Sequence, residues 1–127
     1  MPVSSDTLRK REHSLRMQGA ALFRIAIRRI EQAVQEILKE FGVGPRDLKQ
    51  IVLHQANGRI LSQVAERLGI DQSRLASVIE RYGNTSSASL PIALDDAVRG
   101  GNISPNDLVL LGSFGGGLTW ATGLLRW

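Results

Sequence analysis

Between residues 20 and 41, apolar side chains recur at Phe23, Ala26, Ile27, Ile30, Val34, Ile37, Leu38 and Phe41, the three-and-four spacing of one helix face. Arg24, Arg28, Glu31, Gln35 and Lys39 take the opposite side, and Gly42 supplies the stop, since glycine readily adopts the left-handed conformation that closes a helix. Phe23 and Phe41 are thus expected in the core. Gly44-Pro45-Arg46-Asp47 makes a turn. Ile51-Val52-Leu53 is a short apolar run of strand type. Asn57 precedes Ile60, Leu61, Val64, Ala65 and Leu68, a helical stripe closed by Gly69, so it is expected to cap a helix over residues 58–68. A turn at Asp71-Gln72-Ser73 leads into Leu75-Ala76-Ser77-Val78-Ile79, which is also strand-like. A third helix is expected over residues 87–99, built on small residues such as Ala88, Ser89 and Ala93. Pro91 fits only in or near its first turn, so that start is late or irregular. Leu108-Val109-Leu110-Leu111 is a continuous apolar run suited to a central buried strand, and Gly115-Gly116-Gly117 returns it antiparallel through residues 118–126. Strands alternating with helices make the class α/β, with about four strands in a mixed sheet and three main helices. Residues 14–19 allow a short strand before the first helix, and residues 1–11 have no apolar periodicity.

Composition changes this picture little. The chain has 127 residues, with 43% hydrophobic and 22% charged, which is ordinary for one globular domain. It holds no cysteine, which excludes a disulfide framework, a thiolate metal site and a cysteine nucleophile within these residues. No apolar run approaches the roughly 20 residues of a membrane span. The formal charge of +4 is uneven: residues 1–30 carry seven Lys/Arg against two acids, and the remainder sums to −1. Such a segment suits an anionic partner or a simple solvated face. Aromatic residues are too few to interleave with it as a stacking platform, so nucleic acid is disfavoured.

Two polar residues sit where chemistry is expected. His54 follows a buried strand and precedes a helix, at the carboxyl end where open α/β sheets hold ligands. A lone histidine there is more often a satisfied core residue. Asn84, however, stands in the same relation to the second strand-like segment, and a His and an Asn at neighbouring strand ends can jointly donate to a carbonyl oxygen that gains charge. The triple glycine by itself implies a hairpin. It is not a phosphate loop, because no Gly-Lys-Ser/Thr ending or following helix is present.

His-Gln-Ala-Asn at 54–57, Gly-Asn-Thr-Ser-Ser-Ala-Ser at 83–89 and Phe-Gly-Gly-Gly-Leu-Thr-Trp at 114–120 together resemble the β-ketoacyl-acyl-carrier-protein synthase III family. These are the initiating condensing enzymes of bacterial fatty-acid synthesis. The resemblance spans residues 15–127 and covers only the C-terminal part of the family's chain, leaving residues 1–14 as a polar tail or truncated remnant. It implies a thiolase-like C-terminal half that lacks the cysteine-bearing half. It further implies decarboxylative condensation of acyl-coenzyme A with malonyl-acyl carrier protein, without a cofactor or metal. His54 and Asn84 would hold the thioester carbonyl, the Gly116 N–H would complete an oxyanion hole, and Asn57 and Gly19 would line the pantetheine arm. Arg24, Arg59 and Arg67 would dock acyl carrier protein, while Glu66 and Gly58 depart from the family's pattern. The implied location is cytoplasmic. The implied partners are acyl carrier protein and a complementary cysteine-bearing N-terminal half, or a second copy of the chain, with no nucleic acid and no membrane span. A non-catalytic carrier-protein-binding or accessory subunit, or an inactive fragment, is the alternative.

Overall fold

The computed structural model describes residues 3–14 and 18–127. Its elements in order are α1 (Ser5–Arg9), α2 (Gly19–Glu40), β1 (Gln50–Leu53), α3 (Gly58–Arg67), α4 (Ile79–Tyr82), α5 (Ser89–Arg99), β2 (Leu108–Gly115) and β3 (Thr119–Arg126), with single 3-10 turns at Pro45–Asp47, Gln72–Arg74 and Ser86–Ala88. The three strands form one mixed sheet in the order β1-β2-β3. β1 runs parallel to β2, with Leu53 opposite Gly112, and β3 returns antiparallel, with Phe114 opposite Trp120.

Strand pleating sends alternate residues to opposite faces, and β1 has a helix layer on each. Ile51 and Leu53 pack with Ile27, Ile30, Val34 and Leu38 of α2 and with Leu61 and Val64 of α3. Val52 and Val109 pack on the other face with Ala93 and Ala97 of α5. All four residues of β1 are buried, which is why Ile51-Val52-Leu53 reads as an apolar run without alternation. The small side chains at 93 and 97 let α5 lie close to the sheet.

Several expectations are met and several are corrected. Asn57 caps α3, its side chain accepting from the Arg59 N–H at 2.9 Å. Pro91 stands in the first turn of α5, after the 3-10 turn at Ser86–Ala88. The fourth strand does not form. Only Leu75 bridges to Ile51, and the chain then turns into α4. The reason is a side chain: Gln55 occupies the Ala76 carbonyl and the Val78 N–H, groups that a sheet neighbour would otherwise pair. Asn84 therefore follows a short helix, not a strand. Phe41 is 62% exposed, because the backbone leaves the helix at Gly42 (φ +63) and Val43 turns back onto the core in its place. Within the N-terminal polar segment, Ser5–Arg9 form a helix with a reciprocal Ser4/Thr7 cap, too short to display a periodicity. The strand considered over residues 14–19 falls largely on positions outside the described residues; Gly19 itself opens α2.

Candidate functional site

The site grows from the end of β1. The His54 N–H donates to the Gly112 carbonyl at 2.8 Å, carrying the parallel pairing one residue past the strand. Glycine opposite leaves room for the buried Leu53 side chain, since a Cβ at 112 would lie 2.6 Å from Leu53 Cδ2 and push it aside. The half-buried imidazole is then held on two sides. Its Nδ1 is 2.5 Å from the Ser89 hydroxyl, and its ring meets Phe114 edge-on, with centroids 5.4 Å apart at 79°. Burial pushes the His54 pKa below 6.5, and a backbone hydrogen bond with Ser86 opposes that shift in part. The ring is accordingly neutral at pH 7, a hydrogen-bond donor without a charge of its own.

Gln55 is fully buried and spends its side chain on backbone. Nε2 donates to the carbonyls of Leu53 and Ala76 at 2.8 and 3.2 Å, while Oε1 accepts from the Val78 N–H at 2.9 Å. Its own N–H donates to Ser89 Oγ at 3.1 Å. One residue thus ties the end of β1 to the segment leading to Asn84 and to the start of α5.

Asn84 is exposed in the loop between α4 and α5, and its Oδ1 accepts from the Ser86 N–H at 2.9 Å. With the oxygen so engaged, the two amide protons are the side chain's remaining polarity. Ser86 is in the left-handed region, at φ 56, a conformation uncommon for a residue with a Cβ. It is held there by the Asn84 bond and also contacts the His54 ring through its backbone. His54 and Asn84 therefore converge on one residue. Beside it, the Thr85 hydroxyl is buried without a partner, a polar group left open at the same place.

The other residues singled out by sequence lie around this centre. Gly116 is exposed in the turn between β2 and β3, with nothing within 4 Å of a Cβ built on it. Gly19 is exposed at the first turn of α2, with nothing within 4 Å of a Cβ built on it. Asn57 uses Oδ1 as a cap, which leaves its NH2 available. Arg24, Arg59 and Arg67 are all exposed on α2 and α3, but Arg67 is paired with Glu31 at 2.9 Å across the two helices. An open groove of about 700 Å³ passes Phe23, Gly58, Arg59, Ile79 and Glu80 beside the Asn57 cap. Among the described residues there is no group of acidic, histidine or cysteine side chains placed to hold a metal, and no helix long and apolar enough to cross a membrane.

Sequence reasoning missed Gln55, Ser89, Gly112 and Phe114. A glycine inside an apolar strand is a recognised sign of close approach, so Gly112 was findable. Gln55 and Ser89 act on partners distant in the chain and leave no local signal.

A family model described as the C-terminal part of 3-oxoacyl-[acyl-carrier-protein] synthase III matches residues 38–127. The β-ketoacyl-[acyl-carrier-protein] synthase III of Desulfotalea psychrophila is 51% identical over 89% of this chain and 35% of that protein. The crystal structure of the 3-oxoacyl-[acyl-carrier-protein] synthase III of Aquifex aeolicus superposes with a TM-score of 0.87 at 44% identity, covering 88% of this chain and 36% of the other. The corresponding enzyme of Thermus thermophilus gives a TM-score of 0.85 at 46% identity, over 88% and 35%. The fold is thiolase-like, and the chain spans about a third of the length of the relatives it matches.

Proposed function

The chain belongs to the 3-oxoacyl-[acyl-carrier-protein] synthase III C-terminal family, and from that premise we propose that it supplies the donor half of a condensing site. The observation that carries this reading is the meeting of His54 and Asn84 at Ser86, whose N–H donates to Asn84 Oδ1 and whose backbone hydrogen-bonds the His54 ring, so that the Asn84 amide protons are left for another acceptor. In the reaction, a cysteine thiolate attacks an acyl-coenzyme A carbonyl and the coenzyme leaves as its thiol. Malonyl-acyl carrier protein then loses carbon dioxide. The electron pair of the broken C–C bond passes into the thioester enolate, whose carbon attacks the acyl-cysteine and expels the thiolate.

His54 and Asn84 donate to the malonyl thioester oxygen as it gains charge, each worth about 3–4 kcal/mol of barrier in sites of this kind. A neutral imidazole suits this task, since it donates without carrying a proton equivalent into the enolate. The Gly116 N–H serves the second oxyanion, with Asn57 and Gly19 along the pantetheine arm and Arg24, Arg59 and Arg67 facing acidic carrier protein. The chain has no cysteine, so the nucleophile comes from another segment or subunit. No cofactor enters these steps.

Complementation tests this. A purified cysteine-bearing N-terminal portion of a synthase III is mixed with this chain, a short acyl-coenzyme A and malonyl-acyl carrier protein, and 3-ketoacyl product is followed by mass spectrometry. Product is expected only from the mixture and is lost with His54→Ala or Asn84→Ala. This chain alone is expected to yield at most a trace of malonyl decarboxylation. A stable acyl adduct on it, or full condensation by the Asn84→Ala chain, would overturn the assignment.

A further inference from the structure

Ser89 opens α5 with its side chain against the end of β1, and only 1% of the residue is exposed. Its hydroxyl has two neighbours, the Gln55 N–H at 3.1 Å and His54 Nδ1 at 2.5 Å. A hydroxyl owns one proton and two lone pairs. The Gln55 N–H can only donate, so it takes a lone pair of Ser89 Oγ. Among the described residues the hydroxyl meets no other acceptor than Nδ1, so its own proton is directed there. Nδ1 must then present its lone pair, and a neutral imidazole with a bare Nδ1 carries its proton on Nε2.

We infer that Ser89 is a positioning residue that holds His54 as the Nε2–H tautomer, with the Gln55 N–H setting the direction in which the serine proton points. The relay runs one way: backbone N–H to serine oxygen, serine proton to Nδ1, leaving an N–H on the far side of the ring. Phe114, packed against the same ring, leaves the imidazole little freedom to flip and exchange its two nitrogens. The consequence for a bound thioester rests on the reading of the site given above, because a carbonyl oxygen needs that N–H. The tautomer itself does not depend on it. The arrangement also separates two requirements that histidine often confuses. The ring is oriented by a neutral hydroxyl and not by a carboxylate, so it is held without a neighbouring negative charge.

The test reads the nitrogens directly. The full chain is labelled with ¹⁵N in its histidines, and long-range ¹H–¹⁵N correlations are recorded above pH 7.5, where the His54 ring is neutral. There are only two histidines, and a short histidine peptide under the same conditions serves as the reference for an unconstrained ring. His54 is expected to show Nδ1 in the lone-pair region and Nε2 in the protonated region, with no averaging. In Ser89→Ala both signals should move toward the averaged positions of the free imidazole, and Ser89→Thr, which keeps the hydroxyl, should hold them. A wild-type His54 protonated on Nδ1 overturns the inference on its own, whether or not the variants fold. So does a Ser89→Ala chain with unchanged shifts. Complementation activity provides the separation. A correct tautomer with no condensation removes the proposed function and leaves the Ser89 assignment standing, whereas condensation from an Nδ1–H ring does the reverse.

Discussion

Replacing Gln55 with leucine should destabilise the fold strongly, although the position is fully buried and leucine is the more hydrophobic residue. The amide serves three main-chain groups: the Leu53 carbonyl, the Ala76 carbonyl and the Val78 N–H. A buried polar group that loses its partner costs about 1–3 kcal/mol. The two carbonyls keep a second lone pair and fall at the low end, so the gross loss is about 5 kcal/mol. Burying the leucine side chain returns about 2 kcal/mol. The net is about 3 kcal/mol, or a fall of about 10–12 °C in melting temperature for a chain of this size.

Gln55→Glu separates hydrogen bonding from packing. The protonated carboxyl of that variant keeps one donor, whereas the ionised form turns one carboxylate oxygen toward the two carbonyls that Nε2 serves, its other oxygen still accepting from the Val78 N–H. Its folded pKa is therefore raised above the ordinary 4.3 or so. A raised pKa means that the folded state holds its proton longer than the unfolded one, so stability falls as pH rises from that value through the folded pKa. Urea titrations followed by far-ultraviolet circular dichroism, at pH 5 and pH 8, give both results. A Gln55→Leu protein within about 0.5 kcal/mol of the wild type, the scale of an ordinary surface change, would refute the clamp. So would a Gln55→Glu protein whose deficit does not grow with pH.

Gly112→Ala should lose about 1–3 kcal/mol by overpacking, since its Cβ would fall 2.6 Å from Leu53 Cδ2; thermal denaturation reads this, and an unchanged melting temperature counts against the close pairing at the His54 strand end. Gly58→Ala should gain about 0.4–1 kcal/mol by stiffening the unfolded chain, because the new methyl would meet only Ile79 Cγ2 at an ordinary 3.8 Å. The depressed pKa of His54 means that the unfolded state binds a proton first as pH falls below 6.5, so stability should decline from there to the folded pKa and then level off, and His54→Asn should remove that slope in a pH series of urea midpoints. If Arg59 faces carrier protein, affinity should fall with salt as exposed charges are screened over about 8–10 Å, and Arg59→Glu should abolish binding; salt-insensitive binding in calorimetry rejects that surface.

What was legible in the sequence is what local spacing encodes. The α2 stripe, the Asn57 cap, the closing Gly69 and the unbroken run into β2 each depend on residues a few positions apart. The fourth strand failed for the opposite reason. Leu75-Ala76-Ser77-Val78-Ile79 has strand composition, yet its backbone groups are taken by Gln55, more than twenty positions earlier. Phe41 continued a periodic stripe one position past Glu40, the last residue of α2, so a pattern correct for most of the helix misplaced the next side chain. His54 and Asn84 were found as residue types at motif spacing, but not as groups meeting at Ser86. The pairing of Arg67 with Glu31 likewise required two helices to be brought side by side. Ser89 passed as a small residue for close packing, and its hydroxyl acquired meaning only when the start of α5 met the end of β1.

The same contacts divide the site into two kinds of residue. His54 is oriented by hydrogen bonds with Gly112 and Ser89 and by the edge-on Phe114 ring, and the bond that orients the Asn84 amide comes from Ser86; every one of these partners is within this chain. Gly116, by contrast, has nothing near its missing Cβ, Arg59 is exposed, and β3 pairs on one side only, with Trp120 43% exposed. Orientation is thus internal, while the surfaces suited to reactants face outward. It follows that adding a cysteine-bearing partner should leave the His54 tautomer unchanged and alter the environment of Trp120. A partner that shifted the His54 nitrogens would mean that the donor geometry is completed only on assembly, and that the lone chain holds the ring without aiming it.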